Sequence, residues 1–270
     1  MATPAAHPMP GAAPTGRSPA RPCPLDDRLG RWARLLPLTL LAACAAPVVP
    51  ELPAPSAPGL ILLIHGGGDD ASVWAEGAVA PVTEALAEPA RWDVMALDWA
   101  ADADSKLTAA RRGRRIGEAL AEQVETAGYD DVHLIAHSVG AHLAHALALG
   151  LSEEPTVQLT LLDPFVGSGL VRWGYGRGRF GSGTDFAEAV VNRDDGVPSS
   201  DGLLDEAHVF DVTATRPSAL LTSQEGHRWP ITWYLQSAGS GLGLDLALGA
   251  GGEDLWDSYP PGEASLLGGS

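Results

Sequence analysis

Residues 132–142 read Val-His-Leu-Ile-Ala-His-Ser-Val-Gly-Ala-His, an apolar run that breaks at a serine and resumes as the opening of a helical pattern. Small residues, Ala136 and Gly140, stand two before and two after Ser138. A sharp strand-to-helix turn needs that spacing, because larger side chains would collide there. Such a turn lifts the serine out of the sheet as a nucleophile, whereas a serine opening a helix elsewhere is only an N-cap. The nucleophile reading of Ser138 requires a parallel sheet around it, so the flanking chain must show further strands alternating with helices.

It does. Leu60–Ile64, Asp93–Leu97 and Val157–Leu162 are short and almost uninterruptedly apolar, like Val132–Ala136, as strands buried on both faces should be. Weaker strands are readable at Glu188–Asn192 and His208–Thr213. Helical patterns lie between them. One runs from about Val73 to Leu86; another starts near Ser105 as N-cap, passes through Arg111–Arg115 and stops at Gly128; a third covers Val139–Leu149 before Gly150. The alternation predicts an α/β fold, a doubly wound, mostly parallel sheet of about six strands over residues 59–237. Residues 238–270 are Gly-rich and acidic, and partial disorder is expected there.

The second chemical signal is His65-Gly66-Gly67-Gly68, directly after the strand Leu60–Ile64. Ester hydrolysis passes through a tetrahedral oxyanion, and backbone N–H groups must be fixed where that charge develops. Glycines let the backbone approach closely, so Gly67 and the residue after the nucleophile, Val139, are the candidate oxyanion donors. Standing alone, the run would be an ordinary Gly-rich turn.

Composition narrows the function classes. Seventeen Lys and Arg against 34 Asp and Glu give a formal charge of −17 over 270 residues, the wrong sign for neutralising phosphates, so no nucleic-acid partner is expected. No H-E-x-x-H occurs, and His142 and His145 lack a neighbouring carboxylate or cysteine in sequence, so no metal is expected. No phosphate-binding G-x-x-x-x-G-K-[ST] run occurs either, and no cofactor is implied.

Residues 1–27 are rich in Pro, Ala and Gly without apolar periodicity and read as a disordered lead. Arg28, Arg31 and Arg34 then precede the apolar run Leu35–Ala43 and Cys44, the layout of a cationic region, a short hydrophobic region and a cleavage site in residues 1–43. That long polar lead suggests a true start downstream of Met1 and Met9. Leu41-Ala42-Ala43-Cys44 resembles a bacterial lipobox, which implies lipidation of Cys44, export, and a membrane anchor in the cell envelope; a plain secretory signal is the alternative. The Pro-rich residues 44–58 would form an extended tether. The only cysteines are Cys23 and Cys44, so no disulfide is expected in the exported chain, whose formal charge would be −20.

Taken in order, LIHGG (63–67), ALDW (96–99), AHSVGAH (136–142) and LLDP (161–164) resemble the catalytic domain of pancreatic-type lipases, a branch of the α/β-hydrolase superfamily. The resemblance covers roughly residues 59–237. DFAEAVVNRDDG (185–196) stands where that family has its seventh strand and HVFDV (208–212) where it has its eighth; His227, Trp233, Tyr234 and Ser237 reproduce the spacing around the family's histidine. The resemblance implies Ser138 as nucleophile, His227 as base and Asp163 as acid. Asp163 matches the pancreatic-type position after the family's sixth strand, while Asp194 or Asp195 would match the position that most α/β-hydrolases use. Residues 165–184, with Trp173, Tyr175 and Phe180, occupy the lid position and would contact substrate or an interface. Gly226 replaces the cysteine that family members carry before the histidine, and no counterpart of their C-terminal lipid-binding domain is expected from residues 238–270. The resemblance thus implies a serine carboxylester hydrolase acting on lipid-like or other apolar esters. A thioesterase or amidase with the same residues, and an inactive binding lipoprotein, are the alternatives.

Overall fold

A computed structural model of the chain describes residues 46–270 apart from 106–107, 170–171, 198–201, 220–221, 246–251 and 269–270. The lead, the signal region and Cys44 lie outside the described residues. The body is one seven-stranded sheet, ordered β2-β1-β3-β4-β5-β6-β7, and every neighbouring pair is parallel. The strands are β1 (Gly59–Ile64), β2 (Trp92–Leu97), β3 (Asp131–His137), β4 (Thr156–Leu162), β5 (Phe186–Val191), β6 (His208–Asp211) and β7 (Ala264–Leu266). Between them stand the helices α1 (Ala75–Ala85), α2 (Ala100–Ala103), α3 (Ala109–Ala127), α4 (Ala141–Gly150), α5 (Ser223–Gln236) and α6 (Gly252–Ser258).

Side-chain alternation along β1 explains the two-sided winding. Leu60, Leu62 and Ile64 pack with Ile116, Leu120, Leu143 and Leu147 of α3 and α4 on one face. Ile61 and Leu63 pack with Ala75, Ala78 and Val82 of α1 and with Trp229 and Tyr234 of α5 on the other. Because successive residues of a strand point to opposite faces, a strand covered on both sides must be apolar throughout. No helix among the described residues is long and apolar enough to cross a membrane.

The sheet is parallel and wound on both faces as expected, with Ala264–Leu266 from the acidic tail as its seventh, edge strand on β6; two other expectations are corrected. A three-residue edge strand carries too few alternating positions to register as a pattern. The helix expected from Ser105 starts at Ala109 after Thr108; the Ser105 carbonyl accepts from the N–H groups of Thr108 and Ala109, so Ser105 opens the preceding turn. Its end is as expected, with Gly128 at φ +71° donating to the Val124 and Glu125 carbonyls. The Pro-rich stretch is extended but does not stand off as a free tether. Val48 N–H donates to Asp102 at 2.7 Å, Leu52 N–H to Gln123 at 2.9 Å and Ser56 N–H to Asp93 at 2.8 Å, while Val49 and Leu52 pack on the core. Prolines leave its remaining N–H groups free to meet side-chain acceptors, and α2, α3 and β2 supply them.

Candidate active site

The C-terminal ends of parallel strands are where an open α/β sheet gathers its chemistry. Here β3 delivers Ser138, β4 delivers Asp163, the turn after β5 delivers Asp195, and α5 brings His227. His227 Nε2 lies 2.9 Å from Ser138 Oγ. On the other side of the ring, Nδ1 lies 2.6 Å from Asp163 Oδ2 and 2.9 Å from Asp195 Oδ2. Donor atoms of Asp163, Asp195 and His227 are all within 4.8 Å of one another, and protein hydrogen bonds already join them. Asp194, the other acid considered after β5, instead faces solvent and pairs with Arg216.

Backbone strain marks the two strand ends. Among the described residues, Ser138 at φ +53° and Asp163 at φ +47° are the only non-glycine residues in the left-handed region. Such positions cost roughly 1–3 kcal/mol each and persist where the surroundings over-determine them. For Ser138 the constraint is a turn without a spare residue between β3 and α4. For Asp163 it is the sheet, whose β5 carbonyl Val190 takes the Asp163 N–H at 2.8 Å. Asp163 Oδ1 also accepts from Asn192 N–H at 3.1 Å.

The glycine loop packs on this elbow. A Cβ on Gly67 would come within 3.0 Å of Val139 Cγ1, and one on Gly140 would meet the His65 carbonyl at 2.6 Å. Gly67 and Val139, the two candidate oxyanion donors, are therefore neighbours, and a Cβ on Gly66 would stand 3.0 Å from Ser138 Cβ. His65 braces the loop: its Nδ1–H donates to Gly66 O at 2.9 Å, and Nε2 accepts from Trp99 N–H at 3.0 Å. Asp69, just after the loop, pairs with Arg228 at 2.6 Å and so ties the loop to α5, the helix that carries His227. Nothing in the sequence singled out this pair, whose partners lie 159 residues apart.

The electrostatics separate the histidines. Burial works against a charge on His227, yet hydrogen bonds and charge from Asp163 and Asp195 outweigh it and raise it to about 9. Its ring neighbour His137, 4.7 Å away, is held down to about 3, chiefly by burial, and donates Nε2–H to the His227 carbonyl at 3.1 Å. The remaining described histidines are bound elsewhere: His133 to Thr160, His142 to Gly167 O, and His208 to Pro260 O and Ser265. His145 lies against Phe180.

The three aromatics of residues 165–184 do not form one interfacial set. Trp173 is 57% exposed, whereas Phe180 is fully buried against His142 and His145, and the Tyr175 ring stacks on His142 with Arg114 and Arg179 each 4.7 Å from its centre. Helix α4 offers an apolar seat there, and a ring next to it gains more by burial than by exposure. The segment is a succession of turns tied to the body, with Arg114 donating to Ser168 Oγ at 3.0 Å.

An all-parallel sheet wound on both faces, with a serine elbow, a histidine and acids at its strand ends, defines an α/β-hydrolase frame. The profile of the alpha/beta hydrolase family matches residues 61–262, and the chain belongs to that family, a family of hydrolases. No curated protein matches the chain. A solved structure of lipase B from Aspergillus fumigatus is 14% identical with a TM-score of 0.44, and the match covers 76% of this chain and 62% of that one. The chain thus spans less than two thirds of that lipase's length.

Proposed function

We propose that this hydrolase is a serine carboxylester hydrolase acting through an acyl-enzyme on lipid-like or other apolar esters. The observation that carries the reading is the Ser138–His227 contact of 2.9 Å, with the opposite ring nitrogen on buried carboxyl oxygens. With Nδ1–H donating to a carboxylate, Nε2 of the neutral ring is an acceptor, the tautomer a general base needs. Ser138 Oγ attacks the ester carbonyl as its proton passes to Nε2. The tetrahedral oxyanion is met by the N–H groups of Gly67 and Val139. His227 then returns the proton to the leaving alcohol, and water repeats the sequence to release the acid. The pancreatic-type position of Asp163 and the motifs around it favour a lipase-like ester specificity, and exposed Trp173 offers an apolar contact for such substrates.

The anchor belongs to the same proposal: Cys44 carries lipid and holds the domain at the cell envelope of a bacterium. Hydrolysis of a series of p-nitrophenyl esters from acetate to palmitate tests the enzymatic half. Turnover lost in Ser138→Ala by roughly 10³-fold or more is expected; turnover equal to the wild type's would overturn it. Cys44→Ala should move the protein from the membrane to the soluble fraction, and an unchanged distribution would count against the anchor.

A further inference from the structure

Asp163 and Asp195 converge on one nitrogen. Both side chains are fully buried and lie 2.6 and 2.9 Å from His227 Nδ1, which has a single proton to donate. Two ionised carboxylates whose oxygens lie within 4.8 Å of each other repel, and burial sharpens the conflict. Each acid is fixed by its own backbone partner: Asp163 Oδ1 accepts from Asn192 N–H, and Asp195 Oδ1 from Val197 N–H at 2.7 Å. Neither can swing away without losing that bond. Burial, with a hydrogen bond that its protonated form donates to the other acid, pushes Asp163 well above the usual carboxylate range. For Asp195 burial pulls the same way, but hydrogen bonds from His227 and Asp163 hold it low. The helix of the base leaves room for the second acid. A Cβ on Gly226 would stand 3.0 Å from Asp195 Cβ and 3.2 Å from its Cα, so the bare residue before His227 is what lets the turn after β5 close on the ring.

We propose that His227 is positioned by two carboxyl groups sharing one proton, Asp163 and Asp195, and that either alone keeps Nδ1–H donating and Nε2 turned to Ser138. The proposal rests on the reading of Ser138 as nucleophile and His227 as base. During acylation only the Oγ–H bond breaks and only the Nε2–H bond forms. The shared proton stays within the acid pair, whose remaining negative charge stabilises the imidazolium. The groups facing the ring are Ser138, His137, Asp163 and Asp195; on the same helix, Arg228 points to Asp69.

The test compares the full chain with Asp163→Asn, Asp195→Asn and the double variant. It measures ester kcat/KM from pH 5 to 10 and follows His227 by NMR titration. Each single variant should lose roughly tenfold in kcat/KM and the double roughly 10³–10⁴-fold, since members of one catalytic unit are non-additive. The wild-type His227 signal should titrate in two steps that collapse to one in either single variant, because coupled groups titrate as a unit. A merely structural aspartate would leave that curve unchanged. Gly226→Ala removes no titratable group but displaces Asp195; combined with Asp163→Asn it should approach the double variant. The proposal is overturned if one single variant matches the double while the other matches wild type, or if wild-type His227 titrates in one step. A wild type that hydrolyses no ester would sink the ester-hydrolase reading, and the NMR arm would still decide the acid pair.

Discussion

Glu188 offers a prediction that can be worked through in numbers. It lies in mid-β5, fully buried, where Thr160 Oγ1 donates to Oε1 at 2.9 Å, His133 Nε2–H completes the row on Thr160 at 2.9 Å, and Oε2 has no partner. Burial raises its pKa from 4.5 to about 8, the Thr160 hydrogen bond opposing only part of that. Between those values the folded state binds a proton that the unfolded chain has released. Its contribution is therefore fully present below pH 4.5 and is lost as pH rises through about 8. From pH 5 to pH 8 the loss is about 3–4 kcal/mol at 1.36 kcal/mol per unit. Glu188→Gln keeps an acceptor for Thr160 and does not titrate. The melting temperature of the variant relative to wild type should accordingly rise by about 10 °C between pH 5 and pH 8, at 2–4 °C per kcal/mol for a domain of this size. Paired thermal melts by circular dichroism at the two pH values measure it, and the difference cancels all other titrating groups. A variant-to-wild-type offset that stays constant across that range would refute the buried, protonated Glu188.

Other outcomes rest on the same structure. In the proposed mechanism His227 accepts the Ser138 proton only when neutral, and it is raised to about 9, so ester kcat/KM should climb with pH through that value; a limb centred near 6.5 would contradict the influence of the two acids. Arg114→Ala removes the bond to Ser168 and the cation over Tyr175, so chymotrypsin should cut residues 172–180 several-fold faster while the core melt is little changed; equal cleavage rates would show that Arg114 does not hold the segment. Leu134→Ala, at a fully buried position of β3, should cost about 2–5 kcal/mol in urea unfolding with an unaltered slope; a loss under 1 kcal/mol would argue against that packing.

Much of this molecule was legible because its central strands are buried on two faces. β1, β3 and β4 announce themselves as apolar runs, and the elbow at Ser138 is readable from small residues at fixed offsets. What escaped depends on tertiary context. Ala264–Leu266 is too short to carry a pattern, and its pairing with β6 arises only after the tail returns to the sheet. Asp194 and Asp195 are neighbours with identical chemistry; the turn sends one to Arg216 and the other to His227, and no local signal separates them. Phe180 looks like a lid residue in a Gly- and Arg-rich stretch, and its burial depends on His142 and His145 presenting a seat from α4. The row His133, Thr160 and Glu188 spans three strands, with steps of 27 and 28 residues in sequence, so only the sheet register brings it together.

The most direct test of the nucleophile is covalent. The purified chain treated with a fluorophosphonate probe at pH 8–9, digested and mapped by mass spectrometry should carry the adduct on Ser138, and labelling should vanish in Ser138→Ala and in His227→Ala. A folded protein that stays unlabelled, or an adduct on another serine, would contradict an activated Ser138 at the end of β3.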